Sequence, residues 1–131
     1  MLEIDAFFMN EDRHTNNIAV IYNEKTQKYE LSPFFDQGLC MFADINQDYP
    51  IDQSLEYCLE KIEAKPFSSD FDIQLDAAEE LYGVQIGFQF TFKDIQIYLQ
   101  KNSENYPREV IRRVEQLLRG QMRKYGYLMK K

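Results

Sequence analysis

The chain has 131 residues, enough for one domain with a real core, and a formal charge of −7. That acidity argues against nucleic acid as a partner of the body, and no apolar run approaches the length of a membrane span. The charged start, MLEID, lacks the pattern of a signal peptide, so the expected location is the cytoplasm. Cys40 and Cys58 both lie in apolar patterns and are expected as buried free thiols rather than a disulfide.

The charge is uneven. Residues 1–107 hold 20 acidic and 7 basic side chains, whereas residues 108–131 hold 2 acidic and 8 basic ones. Such a split predicts either two electrostatic surfaces or a basic tail folded back onto an acidic body.

In chain order, Leu2 to Met9 alternates Leu2, Ile4, Ala6 and Phe8 against Glu3, Asp5 and Phe7, which predicts a first strand. Asn10 to Asn17 is polar and turn-like, and carries the single histidine, His14, as a solvated loop residue. Ile18–Tyr22 and Tyr29–Leu31 flank NEKTQK as a hairpin, and Leu39–Ile45 returns to strand character. Ile51, Leu55, Cys58, Leu59 and Ile62 then form an apolar helical stripe, predicting a helix over 50–64 between Pro50 and Pro66. Phe71, Ile73 and Leu75 alternate with Asp72 and Gln74 as a short strand, followed by a helical turn over Asp76–Leu81.

Tyr82 to Phe92 holds the strongest pattern. Its even positions are Tyr, Val, Ile, Phe, Phe, Phe and its odd positions are Gly, Gln, Gly, Gln and Thr, so one face is apolar and the other polar. After Lys93-Asp94 the phase flips to Ile95, Ile97 and Leu99, predicting a second strand of a hairpin. Val110, Val114, Leu117, Leu118, Met122 and Tyr125 complete the chain with a helix over 107–125, ended by Gly126.

The predicted fold is therefore α+β. It is one domain over 1–131, a curved, mainly antiparallel sheet of six to seven strands with two amphipathic helices packed on one face. Tyr49-Pro50 and Tyr106-Pro107 open helices in the two halves, hinting at a weak internal duplication of 1–65 and 66–131.

Among candidate sites, Asp70, Asp72, Asp76, Glu79 and Glu80 place five carboxylates in eleven residues. An EF-hand is excluded because its sixth position would be Leu75 and its twelfth Leu81. The cluster is expected to be a solvated polar face or an acidic docking surface, since clustered charge steers association with the opposite charge, with a metal site on Asp70, Asp72 and Asp76 as the lesser alternative. On the last helix Arg108, Arg112, Arg119 and Arg123 fall within about 60° of one another at about 100° per residue. They form either an anion-binding ridge or a helix face whose arginines pair with the body's carboxylates.

No Gly-rich phosphate loop, CxxC pair, G-x-S-x-G or HExxH motif occurs, and one histidine does not suggest a zinc site. The expected function is a non-enzymatic protein-binding module without cofactor or metal, monomeric or homodimeric. Its expected form is a small acidic inhibitor or immunity-type protein that occludes a basic partner such as a nuclease. Two other readings stand beside it. One is a small-molecule or catalytic cup between sheet and last helix, near Tyr82, Tyr98 and Tyr125. The other is nucleic-acid or anion binding through the arginine-rich helix.

Overall fold

A computed structural model describes residues 1–130. Five helices and one two-stranded hairpin replace the expected sheet: α1 Leu2–Phe8, β1 Val20–Asn23, β2 Lys28–Leu31, α2 Leu55–Lys61, α3 Phe71–Tyr82, α4 Phe92–Lys101 and α5 Arg108–Lys124. The sheet of six to seven strands is thus corrected to a mainly helical fold whose sheet holds only β1 and β2, antiparallel with Tyr22 opposite Tyr29. No helix among the described residues is long and apolar enough to cross a membrane.

The first correction is α1. Seven residues cannot sustain a helix alone, so tertiary packing decides the conformation. The helix buries Glu3, Asp5, Ala6 and Phe7 together, a set that a strand would divide between faces. Its buried polar groups are satisfied. Glu3 accepts from the Gln85 N–H at 2.7 Å, and Asp5 pairs with Arg13. Gln121 of α5 donates to the Ala6 and Phe7 carbonyls at 2.8 and 2.9 Å, two of the groups a helix end leaves open.

Capping explains α3 and α4. The Asp70 side chain accepts from the N–H groups of Asp72 and Ile73, so the stretch that alternates like a strand starts a twelve-residue helix instead. Thr91 and Asp94 form a capping box, the hydroxyl accepting from the Asp94 N–H and the carboxylate from the Thr91 N–H at 2.7 Å. This box opens α4 where a hairpin turn was expected. The predicted strand at 39–45 consists of turns, and α2 begins only at the Ser54 cap.

The alternating run between α3 and α4 is irregular and joins no sheet among the described residues. Phe88 alone bridges to the C-terminal segment, its N–H donating to the Leu128 carbonyl at 2.8 Å and its carbonyl accepting from Lys130 at 2.7 Å. Phe88 is buried and Ile86 and Phe90 pack partly buried beside it, while Gln85, Gly87 and Gln89 stay exposed. At the N-terminal end of the alternating pattern Tyr82, the last residue of α3, and Val84 are exposed. α1 packs against α3 and α5, and α4 and α2 pack on α5, so the last helix is the common support. Phe7 lies at the centre of the core, with ring centroids 4.6 Å from Phe88 and 5.8 Å from Phe90.

Candidate functional site

The five carboxylates singled out from sequence lie on one helix, not on a strand and a turn. Asp70 caps α3, and Asp72, Asp76, Glu79 and Glu80 follow its outer side, opposite the buried Phe71, Gln74 and Leu75. At about 100° per residue the spacing of the last four makes one continuous acidic stripe.

The stripe is not uniform. Asp72 receives the Lys124 ammonium at 2.6 Å and the Tyr125 hydroxyl at 2.7 Å. Partial burial pushes this carboxyl up, but the two donors and the Lys124 charge outweigh burial and bring it below the ordinary carboxylate value. Glu79 accepts from the Tyr127 hydroxyl at 3.0 Å, yet burial leaves its carboxyl above the ordinary value. Burial and these carboxylates together push the phenols of Tyr125 and Tyr127 up. Asp76 and Glu80 are exposed and have no hydrogen-bond or ion-pair partner among the described residues.

Replacing Tyr125 with phenylalanine tests this anchor. A depressed folded-state pKa supports the fold above the unfolded carboxylate value and loses that support as pH falls through the folded value. Because Asp72 is almost half exposed, the expected loss at neutral pH is at most about 1 kcal/mol after allowance for solvent screening. Urea melts should show that loss at neutral pH and a smaller difference once Asp72 is protonated.

Beside the start of the stripe lies a cleft of about 610 Å³ between α2, the start of α3 and the last turn of α5. Glu60, Glu63, Asp70 and Asp72 line it, with Lys124 as the one cationic side chain among the described residues. Glu60 and Glu63 were absent from the sequence-derived site, although EYCLEKIE repeats glutamates at helical spacing. Among the described residues no group of three or more His, Cys, Asp or Glu side chains could hold a metal ion.

The basic residues separate into two classes. Arg108, Arg112, Arg119 and Arg123 are all exposed on α5. Arg119 pairs with Glu115 of its own helix at 3.4 Å and lies 4.1 Å from the Phe92 ring centroid. Arg108, Arg112 and Arg123 form no ion pair among the described residues, so the body's carboxylates do not neutralise this ridge. Only Lys124 ties the basic helix to the acidic stripe.

Two other arginines are structural. Arg13 is buried and gives Asp5 a two-point pair at 2.9 and 3.0 Å, while also donating to the Asn17 and Phe35 carbonyls. Arg113 is buried and donates to the carbonyls of Phe42, Tyr49 and Pro50. Their burial could not be read from spacing, because each is matched to acceptors brought in by folding. His14 is half-buried, its Nδ1 accepting from the Asn16 N–H at 3.2 Å.

The expected cup between sheet and last helix lacks a wall, because the β1–β2 sheet does not pack against α5. Its three tyrosines also fail to converge: Tyr82 and Tyr98 are exposed, and Tyr125 is buried against Asp72. An apolar groove of about 430 Å³ lies elsewhere, between residues 37–45, α4 and α5, lined in part by Cys40 and Arg113. Burial pushes the Cys40 thiol up to about 11, which disfavours the reactive thiolate. Cys40 and Cys58 are both free thiols, partly and fully buried. No family model, curated protein or solved structure compared with the chain matches it.

Proposed function

We propose that this chain is a small non-enzymatic protein-binding module that presents carboxylates to a basic partner, in the manner of an acidic inhibitor or immunity-type protein acting on a nuclease. The observation that carries the reading is the joining of Glu60 and Glu63 to the α3 stripe across one cleft, with a single lysine among them. A long basic side chain of a partner fits such a cleft by shape and by sign. Asp76 and Glu80 continue the negative surface along α3 with no partner of their own among the described residues. Oppositely charged surfaces accelerate encounter and reject like-charged competitors.

The test is affinity capture from the native host with the wild-type protein and with a Glu63→Lys, Asp76→Lys, Glu80→Lys variant. These three side chains form no hydrogen bond or ion pair among the described residues, so their reversal leaves the fold's own contacts intact. Asp70, Asp72 and Glu79 are avoided because they cap α3 or hold the C-terminal segment. A basic protein retained by the wild type and lost by the variant is expected, and its direct binding is then measured with purified components. Equal retention by both would refute the acidic surface.

A second reading is favoured by Arg108, Arg112 and Arg123, which form no ion pair among the described residues and give α5 an outward cationic ridge suited to a polyanion. Fluorescence anisotropy with labelled single- and double-stranded DNA across salt concentrations decides it. Absence of binding at low salt ends that reading.

A further inference from the structure

Among the described residues the β1–β2 hairpin stands apart from the helical body. All eight strand residues are exposed, and among the described residues neither strand packs against any helix. Val20, Tyr22, Tyr29 and Leu31 share one face by the register, with the two tyrosine rings 4.8 Å apart. An isolated two-stranded hairpin is marginal in water, and sheets of three or more strands are the stable form.

We propose that this arm recognises a second copy of the chain, β2 pairing antiparallel with β2 about a two-fold axis at Tyr29. The backbone sets which groups are free. The Ser32 N–H donates to the Ala19 carbonyl at 2.9 Å, so alternation along the ladder turns the N–H and C=O of Tyr29 away from β1. In the Tyr29-centred register the two Tyr29 residues exchange two backbone hydrogen bonds. Lys28 of each copy then lies opposite Glu30 of the other, giving two opposite-charge pairs by symmetry.

Neighbouring registers lack this match. One step along, Glu30 faces Glu30. Two steps along, Tyr29 faces Pro33, which has no N–H to give. The arm's own charges, Glu24, Lys25, Lys28 and Glu30, cancel in a chain of net −7, so two copies meet here without the repulsion felt elsewhere. The seam is four residues long on each side, well short of a standard interface of about 800 Å² per partner, so the dimer is reversible and depends on concentration.

Sedimentation velocity over a concentration series tests this with Lys28→Glu, Glu30→Lys and the double exchange. Within one hairpin Lys28 faces Asn23 and Glu30 faces Ile21, so none of these changes breaks a charge pair of the monomer. Each single change converts two attractive pairs into two repulsive ones and should weaken the dimer by about tenfold or more. The double exchange rebuilds both pairs with their signs swapped and should restore the wild-type constant. Unchanged urea midpoints would confirm that the body is unaffected, since the arm packs on no helix. A monomer at every concentration, a dimer indifferent to the single changes, or a double exchange that restores nothing would each overturn the proposal.

Discussion

Replacing Arg13 with methionine is expected to destabilise the fold by about 3–5 kcal/mol, because it leaves a buried carboxylate without its counter-charge. The side chains of Asp5 and Arg13 are each only 1% exposed, so water cannot take the place of the missing guanidinium. Asn10 would remain as the one other side-chain donor to Asp5, at 3.0 Å. The carbonyls of Asn17 and Phe35 would lose a donor in the same step. The pair thus pins the 10–17 loop to α1 and sets where the chain enters the hairpin.

Changing Asp5 to leucine together with Arg13 to methionine should cost less than the sum of the single changes, since an apolar pair strands no charge. Urea unfolding of the four proteins gives the coupling directly. A loss below about 1 kcal/mol for Arg13→Met would mean that Asp5 is solvated, which contradicts its burial.

The second large effect concerns Phe7. A strand over Leu2–Met9 turns Phe8 inward with Ile4 and Ala6 and leaves Phe7 on the polar side. The helix reverses this, burying Phe7 completely and leaving Phe8 partly buried at the edge of the core. Phe7→Ala is expected to cost about 3–5 kcal/mol, from lost burial and the cavity left among the aromatic rings. Phe8→Ala should cost distinctly less, and alanine at Phe67, which is 73% exposed, should change stability by no more than about 0.5 kcal/mol. Denaturant midpoints rank the three. A larger loss for Phe8 than for Phe7 would favour the strand.

These residues show why part of the fold was legible and part was not. The hairpin was readable because its signal is local, two β-rich stretches around a polar turn, and α5 because its 3.6-residue stripe runs for several turns. LEIDAFF is too short for period alone to separate helix from strand, and the partners that decide it, Arg13, Gln85 and Gln121, come from distant loops and helices. FDIQL alternates over five residues, yet the Asp70 cap starts a helix there, and the capping box of Thr91 and Asp94 starts another at Phe92. Local caps outweighed alternation in both places. The run from Gly83 to Thr91 forms no strand despite its alternation, because pairing needs a neighbour, and among the described residues only the segment around Leu128–Lys130 supplies one, at Phe88.

For the candidate site, the acidic residues of α3 were identifiable by type, whereas their unequal states were not. Which carboxylates are engaged depends on Lys124, Tyr125 and Tyr127, more than forty residues away in sequence. The contribution of Glu60 and Glu63 likewise depends on α2 lying across the cleft from α3.

The acidic surface that joins the cleft to the α3 stripe is tested most directly by the association rate of the captured basic partner as a function of ionic strength. For the wild type the rate should fall steeply with salt. For the Glu63→Lys, Asp76→Lys, Glu80→Lys variant it should be slower by about tenfold or more at low salt and nearly flat thereafter. Identical rates and identical salt dependence for the two proteins would contradict the assignment.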